Sequence, residues 1–188
     1  MHIRPYIQAE DFSRVYNFLV EIYQPEEVLR NWLAPRWEYM HFHPVIHELD
    51  LTRVGIAEQD GLICGVVHFE SAHHEVYTQV HPGCDHFKAE LLDYAEENGY
   101  QGISRSRGKL IRAVYVNNFD REFEQIVSAR GYEKWPEFGQ PNSVYPLDRK
   151  LPAPTLPEGC RLQSLADEND FRKINRVLWR GFNHSGEP

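Results

Sequence analysis

A chain of 188 residues with 41% hydrophobic and 13% aromatic residues holds enough apolar material for one packed domain and part of another. Its formal net charge of −8 excludes a nucleic-acid-binding surface, which needs cations against the phosphate backbone, and favours cationic or neutral partners. The longest apolar run, near Leu62 to Val67, is too short to span a bilayer, and the start MHIRPYIQ has no apolar signal-peptide core, so the reading is a soluble, cytoplasmic protein without a membrane partner.

Ile3 to Ile7 predicts a short strand, and Phe12, Val15, Tyr16, Leu19 and Tyr23 then mark one face of a helix that ends before Pro25. Pro25 with Glu26 and Glu27 suits the first turn of a second helix, whose apolar face is Val28, Leu29, Trp32 and Leu33. Pro35 and Pro44 cut the chain, and the intervening WEYMHFHP fits either an irregular helix or a loop over a site. Val54 to Glu58, the turn Gln59-Asp60-Gly61, and Leu62 to Ser71 read as a hairpin, because Asp-Gly supplies the positive φ of a tight turn.

Glu75 to Gly99 organises the rest. Glu75 to His81 is β-branched and aromatic, Pro82 and Gly83 break it, and Phe87, Leu91, Leu92 and Ala95 recur at helical spacing. A strand, tight turn and helix in this order aim the unpaired N–H groups of the helix start past the strand's end, where nucleotide-type ligands are often held. Leu110 to Val116 predicts another strand. Asp120 caps a helix bearing Phe123, Ile126 and Val127 that closes at Gly131, and Tyr132 to Trp135 and Ser143 to Leu147 read as two last strands.

RKLPAPTLPEG, residues 149–159, has no periodicity and three prolines, so it reads as a linker between a domain of residues 1–148 and a unit of residues 160–188. That unit echoes the beginning: Asp11, Phe12, Val15, Asn17 and Leu19 recur as Asp170, Phe171, Ile174, Arg176 and Leu178, with Arg4 and Arg161 on matching strands. It predicts the first strand and helix of a second copy belonging to a longer parent chain, since a lone β-α unit cannot bury its apolar face.

Several constellations have plain readings. His41, His43 and His47 near Glu48, and His73 with His74, read as histidines of partly exposed segments with no metal site. Cys64, Cys84 and Cys160 form no CxxC pair and read as reduced thiols. GISRSRGKL lacks P-loop spacing, and Arg105, Arg107, Lys109 and Arg112 read as a solvated charged segment. Trp32, Trp37 and Tyr39 read as core and lid packing. Glu75, on the central strand, and His81, at its end, are the candidate catalytic bases toward an amine, with a solvated strand start as the other reading of Glu75.

The hairpin GIAEQDGLICGVVHFE, the segment YTQVHPGCDHFKAELLDYAEENG and VYVNNFDREFEQIVSARGY, in the order β-α-α-β-β-β-α-β-α-β-β, resemble the GNAT superfamily of acyl-CoA N-acyltransferases, and CRLQSLADENDFRKINRVLWRGF resembles the start of a second such domain. The resemblance implies an α/β (mixed α+β) fold with a twisted mixed sheet flanked by helices, and acetyl-CoA lying where the two central strands splay apart. It implies an N-acetyltransferase acting on a small-molecule or peptide amine. Backbone groups of Tyr77, Gln79 and Val80 would pair with the pantetheine arm, and Gly83, His86, Phe87 and Lys88 would lie near the pyrophosphate. Asn118 matches the family's asparagine after the preceding strand.

Two departures stand out. The family's loop of Arg or Gln followed by Gly-x-Gly or Gly-x-Ala is here PGCDHFKAE, where Asp85, placed to cap the helix, would set a carboxylate beside the phosphates. Two like charges about 4 Å apart repel by roughly 4 kcal/mol at an effective dielectric of 20, partly offset by Lys88. Val127 stands where the family has a tyrosine that reprotonates the thiolate. The resemblance, so modified, implies a degenerate first domain in a tandem acetyltransferase whose chemistry falls to the second domain; the alternative is a non-catalytic GNAT-like module that positions a substrate or partner domain.

Overall fold

The structure is a computed structural model and describes residues 2–23, 32–43, 49–70, 74–103, 110–141, 146 and 148–186. The chain divides into two compact units, residues 1–143 and 144–188. The first is a mixed α/β unit: β1 (His2–Pro5), α1 (Gln8–Glu21), α2 (Ala34–Phe42), β2 (Gly55–Gln59), β3 (Leu62–His68), β4 (Glu75–Val80), α3 (Lys88–Asn98), β5 (Gly102–Ile103), β6 (Leu110–Ile111), β7 (Ala113–Tyr115) and α4 (Arg121–Ala129). The second contains α5 (Phe171–Gly181). Among the described residues no helix is long and apolar enough to cross a membrane.

The sheet runs β1-β2-β3-β4-β7. The first four strands are antiparallel neighbours, and a tight turn joins β2 to β3. The hairpin turn is as its residues require, with Asp60 at φ 53° and Gly61 at φ 80°. β7 joins β4 in parallel, which the crossover through α3 allows. β5 and β6 pair separately as a small antiparallel ladder.

Alternation along β4 divides the interior into two layers. Val76, Thr78 and Val80 share one face with α3, which lies so close to β3 that a Cβ on Gly65 would meet Leu91 Cδ1 at 2.7 Å. Tyr77 faces the other way, against Trp32, whose ring centroid is 4.6 Å away. Trp32 and Trp37 are buried and Tyr39 is half exposed, so the tryptophans are core and the tyrosine is not.

A charged network ties the first β-α connection to the sheet. Asp11, fully buried on α1, accepts from Arg4 Nη1 at 2.6 Å, Arg4 Nη2 at 2.7 Å, Arg14 Nη1 at 3.0 Å and the Ile7 amide at 2.9 Å. Glu58 of β2 accepts from Arg4 Nε at 2.9 Å and Arg14 Nη2 at 2.5 Å. The four side chains neutralise one another in a partly buried setting.

Some local expectations need correction. The predicted helix from Pro25 lies mostly outside the described residues; Trp32 and Leu33 precede α2, which takes up WEYMHF as a regular helix with Pro35 in its first turn. Proline is compatible there because a first-turn amide has no partner inside the helix. Leu110 to Val116 is not one strand but two, with Arg112 between them. Tyr132 to Trp135 is not a strand: Tyr132 turns back so that its hydroxyl meets Glu96 of α3 at 3.1 Å. Ser143 to Leu147 lies outside the described residues except for Pro146. In the second unit, α5 begins at the expected cap, Asp170, which accepts from the amides of Arg172 at 3.0 Å and Lys173 at 3.2 Å. The strand expected at Arg161 is not formed, since residues 160–164 carry no ladder.

The Arg4 hydrogen bond outweighs burial, which works the other way, and with the Ile7 amide lowers the Asp11 carboxyl to about 2. Because its folded value lies below its unfolded one, its contribution of about 2 kcal/mol is complete above pH 4 and is lost as pH falls through 2. Asp11→Asn is expected to lose roughly 3 kcal/mol at pH 7 in urea unfolding followed by tryptophan fluorescence. The gap to the parent chain should narrow between pH 4 and 2; a gap independent of pH would mean that the carboxylate charge is not what the network uses.

Candidate functional site

The parallel ladder between β4 and β7 covers three residue pairs, Glu75↔Ala113, Val76↔Val114 and Tyr77↔Tyr115. From Thr78 onward β4 stays paired with β3, through Thr78↔Val67, Gln79↔Val66 and Val80↔Gly65, while the chain beyond Tyr115 moves off toward α4. The two strands therefore part, and a cleft of about 440 Å³ opens where they do. That size suits a small-molecule ligand.

Each wall has a local cause. β4 supplies Thr78 and Val80 by alternation, and the turn after it supplies Pro82 and Asp85. Asp120 caps α4, accepting from the Phe123 amide at 3.0 Å, and so brings Phe119, Arg121, Glu122 and Phe123 to the opposite wall. The backbone of Asp85–Phe87 makes a 3-10 turn before α3. Asp85 is not the expected cap of α3; its carboxylate instead meets Lys88 Nζ at 2.6 Å.

Lys88 is the electrostatic centre of the cleft. It is 7% exposed, and its ammonium also meets Asp120 at 2.8 Å and Glu122 at 3.7 Å. Burial works against this charge, but the hydrogen bonds to Asp120 and Asp85 outweigh it and raise the lysine's pKa. Arg121, the other cation of the lining, is held at 2.7 Å by Glu124. Three carboxylates thus surround one buried ammonium, at the end of the cleft next to the start of α3.

Of the residues expected to bind a cofactor, the structure brings Val80 and Lys88 to the cleft lining. Tyr77 belongs to the last rung of the β4–β7 ladder, and its ring is on the far face of the sheet. Gln79 is buried on that same face by alternation. Phe87 is fully buried in the core, His86 is exposed beside it, and Gly83 sits in the turn at φ 87°. Asn118 is exposed in the turn before Asp120, and it is Asn117 that lines the cleft. Val127 packs with Leu92 and Phe123 between α3 and α4.

The two candidate bases are at opposite ends of β4. Glu75 opens the strand and His81 follows its last residue, so roughly 17 Å separates the strand's ends at about 3.3 Å per residue. His81 Nδ1 is 2.7 Å from the Pro82 carbonyl and its Nε2 is 3.5 Å from Glu21. They do not form one acid-base pair.

Sequence reading passed over Thr78 and His68. The Thr78 hydroxyl has no hydrogen-bond partner among the described residues, and the residue, 8% exposed, lines the cleft. A threonine in a strand is unremarkable by propensity, so its isolation is visible only once the neighbours are placed. His68 is fully buried on the α2 side, between Trp32 at 4.3 Å and Tyr77 at 5.6 Å, and neither ring nitrogen has a partner among the described residues. His41, by contrast, is satisfied twice: Tyr6 Oη lies 2.9 Å from Nε2 and the Trp37 carbonyl 2.8 Å from Nδ1. Its role is structural. Among the described residues no group of three or more His, Cys, Asp or Glu side chains is arranged to hold a metal ion. His47, Glu48, His73, Arg105, Arg107 and Lys109 lie outside the described residues.

Comparison with protein-family models and with curated proteins finds no match for this chain.

Burial, joined by the charges of Arg36 and His41, lowers the His68 pKa to about 3. A histidine whose folded value lies below its unfolded one costs stability as pH falls below about 6.5, at up to about 1.4 kcal/mol per pH unit until its own pKa is reached. His68→Phe should therefore reduce the slope of unfolding free energy between pH 6.5 and 4, measured by urea titration at each pH. An unchanged slope would show that His68 is protonated in the folded chain.

Proposed function

We propose that residues 1–143 form a GNAT-like domain acting as a non-catalytic binding module, in a tandem protein whose acetyl-CoA-dependent N-acetylation of an amine is carried out by the second domain. The parting of β4 and β7 beside the N-terminal end of α3 supports the GNAT-like part of this reading, because that is where the resemblance puts the cofactor.

The observation that carries the non-catalytic part is the Lys88 cluster. A pyrophosphate at this end of the cleft would need donors, and the one buried ammonium already faces Asp85, Asp120 and Glu122. The repulsion of two like charges about 4 Å apart is roughly 4 kcal/mol at an effective dielectric of 20, close to a thousandfold in affinity for each carboxylate left in place. Val127, buried between helices, has no proton to return to a thiolate. Neither Glu75 nor His81 has the other within reach to share acid-base work.

Titration calorimetry of acetyl-CoA, and of CoA separately, into the 188-residue chain should give no saturable heat, and saturating ligand should leave the melting temperature unchanged. Micromolar binding would overturn the non-catalytic reading and return this domain to the list of candidate acetyltransferases.

A further inference from the structure

The cleft is built for charge of the opposite sign to the cofactor that its position suggests. Asp85 and Glu122 have side chains 50% and 59% exposed, so each keeps oxygens available to a ligand while also neutralising Lys88. Lys88 itself is 8% exposed at its side chain and has three donors to set against three carboxylates. It offers little to an incoming anion. The guanidinium of Arg121 is drawn to Glu124. Local charge at this end of the cleft is therefore negative.

A second feature points to a ligand independently of charge. Thr78 lines the cleft, and its Oγ1 is buried with no hydrogen-bond partner among the described residues. A buried hydroxyl without a hydrogen bond is costly, and a ligand group donating to it or accepting from it would recover that cost. Val80, Phe119 and Phe123 add apolar surface to the same lining. The cleft thus combines an anionic end, an apolar wall and one polar contact.

We infer that the cleft between β4 and β7 binds an organic ammonium compound, its cationic group at Asp85 and Glu122 and its apolar stem against Phe119 and Phe123. This inference rests on the reading that the cleft is a binding site without acetyl-CoA. The ammonium would complete the neutralisation that Lys88 begins, and water displaced from the aromatic wall would add to affinity.

The test uses phenethylamine, with 2-phenylethanol and phenylacetate as neutral and anionic compounds of similar stem, titrated into the full 188-residue chain at low salt and followed by amide NMR shifts. Phenethylamine should bind saturably and at least tenfold more tightly than either, shifting Thr78 and Phe119. The double variant Asp85→Asn, Glu122→Gln should abolish the preference for the amine. Thr78→Val, close in shape, should weaken all saturable binding while keeping the charge preference. Both substituted carboxylates are half exposed, and thermal melts confirm that each variant is folded before it is titrated. Equal binding of the alcohol, preference for phenylacetate, or no saturable shift with phenethylamine would overturn the inference. The acetyl-CoA titration separates the two failures: if neither acetyl-CoA nor phenethylamine binds, this inference fails alone, whereas saturable acetyl-CoA binding removes the reading beneath it.

Discussion

β4 is paired antiparallel on one side and parallel on the other, and the parallel side lasts only three residues. Its last rung, Tyr77 opposite Tyr115, is closed on the α2 face by the two rings stacked 4.7 Å apart and 1° from parallel. Tyr77 is held further by its hydroxyl, 3.2 Å from both Arg36 Nη2 and Gln140 Nε2. Past that clamp the strands diverge, and the geometry of the cleft follows. Its position is set by where pairing ends, and its walls by alternation along β4 and by the cap of α4.

The two faces of the same strand carry opposite kinds of interior. On the α2 side, aromatic rings enclose His68, Arg36 lies 4.3 Å over Trp32, and its ion pair with Glu70 keeps the guanidinium charged against burial. On the α3 side, Lys88 gathers carboxylates from the turn before α3 and from the start of α4. A buried charge is tolerated only with partners. In both places a partner comes from a segment distant in sequence, Glu70 for Arg36 and Asp120 for Lys88, so each cation also fastens two elements together. At the cleft the consequence is chemical as well as structural, because the partners of Lys88 outnumber it and turn a helix start, ordinarily receptive to anions, into an acidic site.

Local signals were the legible ones. Asp60-Gly61 declared its hairpin because the backbone there needs positive φ, and Asp120 declared the start of α4 because a carboxylate can reach the Phe123 amide three residues on. Asp170 did the same for α5. The mixed α/β character of the unit was legible for similar reasons. Misreadings arose where a residue had two chemically sensible partners. Asp85 could cap a helix or pair with Lys88, and the ammonium one turn away won because burial makes that lysine need a counter-charge. Tyr132 to Trp135 had strand-like residues, but Tyr132 found Glu96 of α3 instead of a neighbouring strand.

The amino-acid order by itself determined the hairpin, the strand-turn-helix around Pro82 and Gly83, the capped helices and the acidic balance of the chain, since each depends on groups a few residues apart or on composition alone. Tertiary structure decided how far β4 and β7 stay together, which carboxylates Lys88 meets, and that the Thr78 hydroxyl and the His68 ring are buried without partners among the described residues. Those depend on neighbours that the fold brings together, such as Asp120, 32 residues from Lys88, and no local rule encodes the distance between them. The sign of the charge at the cleft's end belongs to that second group.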